Sequence, residues 1–293
     1  MAARLRTDPA RTNGRVTRLR QYFVGNVFEG ERFTCKHAQD CIRKTRGVEY
    51  IKGQSHYVGA HYDLFVDEAP FRIVVVGQEY GHEGEFVTLQ RRAEMLRFAA
   101  YKRRRRGVPD STGPAGTRNQ HTTGTTSVLR VLMELPLEGD WKSEMVAVTG
   151  HAEPVHIFEM FGLVNYLLCS RVRPPSKRGK ATARMKRNCE EHFRRALDIL
   201  EPTLIVVQGK GYWQHMKGAF NPVVRLEGEL YRVALDSAEV ITAVFSHPSA
   251  GGKMGWGNGI RQKYLQEVVV PVAKKAREMV LAQRSEGRSV GSS

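Results

Sequence analysis

The sequence is short of acidic side chains and of long apolar runs. Only 30 aspartates and glutamates stand against 46 lysines and arginines, which gives the 293-residue chain a formal net charge of +16. Such a surplus favours a polyanionic partner, because each neutralised phosphate releases condensed counterions, although a basic surface kept for solubility fits the same composition. No stretch approaches the run of about 18 apolar residues that a membrane span needs, so we expect no membrane segment.

Cysteine is scarce, with four in the chain. The opening segment, MAARLRTDPARTNGRVTRLRQYF, lacks the apolar stretch of a secretory signal. We therefore expect a cytoplasmic, nucleoid-associated location. In a reducing compartment, cysteines serve more often as metal ligands or catalytic groups than as disulfides.

Four short apolar runs end in small or polar residues, as buried parallel strands do. They are 71–77, 162–168, 203–208 and 240–245. An apolar stripe that includes Met185, Phe193 and Leu197 predicts a helix over 183–200, which Pro202 ends. Strands alternating with helices predict an α/β fold, a single-domain three-layer α/β/α sandwich around a central, mostly parallel four-stranded sheet. Ligands of such sheets bind at the carboxyl ends of the strands.

Segment composition divides the chain into an arm, one domain and a tail. We expect a basic N-terminal arm at 1–24, an α/β domain at 25–284 and a flexible tail at 285–293. Within the domain, an amphipathic helix at 88–106 and a Pro/Gly-rich loop at 107–120 form a predicted insertion.

The cysteines lie in two pairs. Cys35 and Cys41 are separated by five residues near the N-terminus, and Cys169 ends a predicted strand before Cys189 on the following helix. Two such pairs can close around one metal centre, and four thiolates suit a [4Fe–4S] cluster or a structural zinc. Four buried free thiols acting as small hydrophobes are the alternative, since Cys189 lies on the apolar stripe of its helix.

Three motifs carry a resemblance to a known family. Asn165 stands four residues before Cys169, and Arg173-Pro-Pro175 and Cys189 follow. This order resembles the iron–sulfur branch of the uracil-DNA glycosylase superfamily. The loops Gly77-Gln-Glu-Tyr80 and Ser246-His-Pro-Ser249 are similar to that superfamily's two active-site loops. The first loop is nearer in letters to the branch without a cluster, and the first cysteine pair is more widely spaced than usual.

The resemblance implies a monofunctional DNA repair glycosylase that excises uracil or another deaminated base. It implies a [4Fe–4S] cluster on the four cysteines, and we expect a monomer that binds damaged DNA. No lysine stands in the motifs as a nucleophile, so no lyase activity is expected. Two other functions fit the sequence: a non-catalytic or covalent uracil-DNA binder on the same fold, and a basic nucleic-acid-binding protein stabilised by zinc.

The expected catalytic residues are Glu79 and His247. A carboxylate at Glu79 would orient water and favour a cationic sugar. The resemblance implies that His247 donates a hydrogen bond to uracil O2 as the base leaves. Alternatively, Glu79 merely bonds loop amides.

The expected substrate-binding residues surround these two. Asn165 would read the uracil edge, because an amide both donates and accepts, or it would only satisfy buried backbone groups. The remaining ones are Gly77, Gln78 and Tyr80 through backbone amides, Phe86 as the stacking aromatic, and Ser249 against the DNA backbone. Tyr80 is the second candidate for stacking and His121 the third. Met254 or Trp256 would wedge into the vacated stack.

Overall fold

The fold is taken from a computed structural model, which describes residues 4–30, 32–42, 47–51, 53, 55–78, 87–101, 119–173 and 179–288. The helices are α1 (Pro9–Asn26), α2 (Ala38–Cys41), α3 (Leu89–Tyr101), α4 (Gln120–Leu132), α5 (Ala183–Leu200), α6 (Lys210–Met216) and α7 (Val270–Arg288). The strands are β1 (Leu5–Thr7), β2 (Phe28–Glu29), β3 (Arg32–Phe33), β4 (Glu49–Ile51), β5 (Tyr57–Val58), β6 (Leu64–Val66), β7 (Ala69–Pro70), β8 (Ile73–Gly77), β9 (Met145–Val146), β10 (Val155–His156), β11 (Phe161–Asn165), β12 (Ser170–Val172), β13 (Gly179–Lys180), β14 (Leu204–Gln208), β15 (Val223–Arg225), β16 (Leu230–Ala234) and β17 (Glu239–Phe245).

The main sheet of the described chain has seven strands in the order β15-β16-β17-β14-β8-β11-β5. Its four central strands, β17, β14, β8 and β11, run parallel. The outer strands pair antiparallel. The predicted α/β fold is confirmed, whereas the prediction of a four-stranded sheet is wrong. The missed strands, such as β5 with two residues and β15 with largely exposed side chains, contain no continuous apolar run.

Alternate residues of the central strands face two hydrophobic clusters on opposite sides of the sheet. In β8, Val75 joins the cluster with α4 and α7, while Val74 and Val76 join the cluster with α1 and α5. Helices therefore cover both faces of the parallel strands. The carboxyl ends of these strands remain free to hold polar groups.

The helix predicted over 183–200 is α5. It begins where the side chain of Thr182 accepts a hydrogen bond from the Met185 amide and ends at Glu201, whose φ is 46°. The helix predicted over 88–106 is α3, and residues 102–106 lie outside the described residues. Residues 9–24, expected to belong to an arm, form most of α1, where Leu19 and Phe23 are buried in the core. In the part of the chain that the structure describes, no helix has both the length and the apolarity to cross a membrane.

Candidate functional site

Polar residues gather at the carboxyl ends of the four parallel strands. Gly77 ends β8, Asn165 ends β11 and Gln208 ends β14, while His247 follows β17 by two residues. The strand registers pair Asn165 with Gly77 and Gln208 with Phe245, which places these ends side by side. This edge is where open α/β sheets bind ligands.

Gly77 makes room for the side chains around it. A Cβ built on Gly77 would lie only 2.8 Å from Asn165 Oδ1 and 3.4 Å from His121 Nε2. The Asn165 carboxamide and the His121 ring therefore meet over the end of β8. Asn165 is 5% exposed, and its backbone N–H donates to His56 Nδ1 at 3.4 Å.

His247 is held in one tautomer. Its Nδ1 lies 3.2 Å from the Ser249 backbone N and 2.7 Å from Ser249 Oγ. A backbone N–H can only donate, so Nδ1 accepts and Nε2 carries the hydrogen of the neutral ring. Burial lowers the pKa of His247, which keeps the ring neutral. His247 therefore presents an uncharged N–H donor from Nε2.

His121 belongs to this site, although the sequence ranked it only third as a stacking residue. It stands in the first turn of α4, and its ring centroid is 5.7 Å from that of His247, with the planes tilted by 41°. Burial, with His247 as the next cause, lowers the pKa of His121 to about 3. The sequence did offer one sign that a helix begins just before His121. Asn119 is a common residue at helix starts, and its side chain caps α4 by accepting from the Thr122 amide.

Two glycines fix α4 against the loop that carries His247. A Cβ on Gly124 would lie 2.7 Å from Pro248 Cγ, and one on Gly257 would lie 2.1 Å from the Gln120 carbonyl oxygen. Larger residues at either position would push the helix and the loop apart. The spacing of His121 and His247 is thus set by direct backbone packing.

The loop after His247 offers one exposed apolar side chain. Met254 is 42% exposed and Ser249 is exposed on the same loop. Trp256 is 0% exposed, and its Nε1–H donates to the Ser246 carbonyl at 2.8 Å. The expectation that Trp256 is a wedge is wrong, because its ring is packed inside against Phe245.

The first loop is only partly described. Gln78 lies against Gly209, where an added Cβ would come within 2.2 Å of Gln78 Nε2. The backbone carbonyl of Gln78 accepts from the Leu167 amide at 3.0 Å. Glu79, Tyr80 and Phe86 lie outside the described residues.

All four cysteines are free and buried, and they lie near one another. Cys35 lies between β3 and α2, Cys41 ends α2, Cys169 follows β11, and Cys189 is on α5. A side-chain hydrogen bond with Cys169 raises the pKa of the Cys41 thiol, and one with Cys189 raises that of Cys169. Burial raises the pKa of Cys35, and nearby Cys41 adds to the rise.

Four buried cysteines supply the thiols that a four-thiolate centre needs. Among the described residues, no three His, Cys, Asp or Glu side chains stand as preformed metal ligands. Tyr50, however, is half-buried, and its hydroxyl is fully buried beside the Cys169 sulfur. A buried hydroxyl in that position is a donor suited to a thiolate. Metal loading would require the thiols to lose their protons.

The neutral state of His56, behind Asn165, predicts an acid-sensitive fold. Burial lowers the pKa of His56 to about 3, against the usual 6.5. As the pH falls below about 6.5, His56 therefore becomes protonated in the unfolded chain but stays neutral in the folded chain. His56 thus contributes stability above that pH, and this contribution falls by about 2 kcal/mol by about pH 5.

Urea unfolding of the wild type and of His56→Gln at about pH 7 and pH 5 measures this effect. The variant should lose less stability on acidification, because glutamine does not titrate and its amide still accepts from Asn165. Equal losses in the two proteins would contradict the assignment to His56.

The α/β fold thus carries a carboxamide and two neutral histidines at the carboxyl edge of its sheet, and a separate set of buried thiols. The motifs that resemble the uracil-DNA glycosylase superfamily contribute Gly77, Asn165 and His247 to the carboxyl edge of the sheet. No protein-family model matches the chain, and no curated protein matches it either.

Proposed function

We propose that the protein is a monofunctional DNA glycosylase that flips uracil, or another deaminated base, out of DNA and hydrolyses its N-glycosidic bond. The convergence of Asn165, His121 and His247 over the end of β8 is the observation that carries this proposal. Reaching a base atom of a duplex requires an extruded nucleotide and a pocket that reads its edge. A carboxamide, an aromatic ring and a neutral N–H donor supply the contacts that such a pocket needs.

Each residue has a distinct role in the proposed reaction. Asn165 pairs with the uracil edge, because its amide donates to a carbonyl and accepts from an imide N–H. His247 donates from Nε2 to the oxygen on which negative charge develops as the base departs. Glu79 orients water and stabilises the sugar cation. His121 becomes the stacking ring beside Asn165, ahead of Phe86 and Tyr80.

The proposed partner is DNA that contains the damaged base, in the cytoplasm and at the nucleoid, with the protein acting as a monomer. The net charge of +16 supports phosphate binding. On the loop after His247, exposed Ser249 and Lys253 suit contact with the DNA backbone. Met254 is the proposed wedge for the space that the flipped base leaves.

A [4Fe–4S] cluster on Cys35, Cys41, Cys169 and Cys189 completes the proposal, with zinc as the alternative occupant. It would be a structural group that ties the N-terminal loop of Cys35 and α2 to β11 and α5. Purified protein should contain about four irons per chain and absorb broadly in the visible range. Stoichiometric zinc without iron would overturn the cluster.

The decisive experiment is release of free base. Purified protein is incubated with duplex and single-stranded oligonucleotides that contain uracil, hypoxanthine or xanthine, and the freed base is separated by chromatography. Release of at least one base supports the glycosylase. Retention of uracil DNA without release would favour the non-catalytic or covalent binder, and equal affinity for undamaged DNA would favour a general nucleic-acid-binding protein.

Asn165→Asp should change base choice. A carboxylate accepts hydrogen bonds but cannot donate to a carbonyl, so excision of uracil should fall and the relative rates over uracil, hypoxanthine and xanthine should change. Rates over the same three bases measure the change. Asn13→Asp, on the exposed face of α1, is the matched control for the added negative charge. Unchanged selectivity in Asn165→Asp would mean that Asn165 does not read the base.

A further inference from the structure

His192 and Tyr22 form a relay that ends on one of the thiols. His192 is 1% exposed and lies on α5 one turn after Cys189. Its Nε2 is 3.5 Å from Cys35 Sγ, and its Nδ1 is 2.9 Å from Tyr22 Oη. The ring therefore bridges a tyrosine on α1 and a cysteine of the N-terminal loop.

We propose that His192 is a positioning residue for the thiolate centre, donating from Nε2–H to Cys35 sulfur and raising the reduction potential of the cluster. This inference rests on the proposed [4Fe–4S] centre. A metal-bound thiolate has no proton to give, so the ring nitrogen that faces it must carry the hydrogen. Nδ1 of the neutral ring is then bare and accepts from the Tyr22 hydroxyl. Tyr22 thereby fixes the tautomer that Cys35 requires.

Two of the other three sulfurs also have a side-chain donor beside them. Asn188 Nδ2 donates to Cys41 Sγ at 3.4 Å, and the buried Tyr50 hydroxyl lies beside the Cys169 sulfur. Hydrogen bonds to cluster sulfurs draw off negative charge and favour the reduced form. Side-chain donors on three thiols point to a centre of raised potential.

The test is an electrochemical titration of the iron-loaded protein, followed by electron paramagnetic resonance. One electron is added to the cluster from an electrode or from dithionite, and no covalent bond forms or breaks. His192→Leu should shift the midpoint potential to more negative values, and Tyr22→Phe should shift it in the same direction by less. His192→Gln retains an N–H donor, so its midpoint potential should lie closer to that of the wild type than the potential of His192→Leu does.

His37→Gln is the matched control. The His37 ring is 5.6 Å from the His192 ring but its Nε2 faces Glu191 at 3.6 Å, so the potential should not move. Iron-loaded variants that all share the wild-type potential would overturn the role of His192 while leaving the cluster intact. Absence of iron from the wild type would instead overturn the cluster itself. Should His192→Leu lose its iron, an unshifted potential in Tyr22→Phe overturns the relay.

Discussion

Replacing His247 by alanine is expected to slow single-turnover uracil excision about 10²- to 10³-fold, the usual loss for one preorganised electrostatic contact. The Nε2–H of His247 is set by the Ser249 amide on Nδ1, and burial keeps the ring uncharged through a lowered pKa. The hydrogen bond from a neutral donor strengthens most when negative charge develops on the leaving base. In the proposed reaction, this contact would therefore act mainly in the transition state.

Binding of uracil DNA by His247→Ala should stay close to that of the wild type, because phosphate contacts would supply most of the affinity in the proposed complex. Rapid-quench rates and binding isotherms at two salt concentrations separate the two effects. Glu79→Gln should behave similarly. Ser249→Ala is the control, since it removes the hydroxyl but keeps the backbone N–H that fixes the tautomer. Its excision rate should therefore fall less than that of His247→Ala. Wild-type rates in both His247→Ala and Glu79→Gln would place the chemistry elsewhere.

The buried centre of the fold could be predicted because its signal is continuous in the sequence. Runs such as 203–208 are apolar on both faces of the sheet, and α5 repeats its buried residues at helical spacing. Edge strands lack this signal. β16, for example, buries only two of its five side chains, so nothing in its pattern separates it from a loop.

The site could be predicted only where a residue follows a predicted strand or belongs to a motif. Asn165 and His247 satisfied that condition. His121 did not, because its position depends on Gly124 packing against Pro248, a contact between segments more than a hundred residues apart. Likewise, the glycine-rich stretch before Trp256 favoured a wedge, yet the indole N–H donates to the buried Ser246 carbonyl. Such contacts are tertiary and leave no periodic trace in the sequence.

The same helix that carries His121 is anchored at its other end by a buried ion pair. Arg130 is 0% exposed and donates to Glu144 Oε1 at 2.8 and 3.2 Å. Its Nη1 donates to the carbonyls of Pro136 and Glu138, and Nη2 also lies within hydrogen-bond distance of the carbonyls of Gly139 and Asp140. The second oxygen of Glu144 lies 3.0 Å from His156 Nε2. One guanidinium thus orders the whole turn after α4.

Arg130→Met should therefore destabilise the fold by about 3–5 kcal/mol, because it leaves the Glu144 carboxylate buried without its main partner. Urea unfolding at neutral pH measures the loss, and Lys142→Met, an exposed cation of the same turn, is the matched control. The double variant Arg130→Met with Glu144→Leu should recover part of the stability, since it removes the uncompensated charge as well. A single variant within about 1 kcal/mol of the wild type would mean that the carbonyl contacts and His156 already satisfy Glu144 and the turn without the arginine.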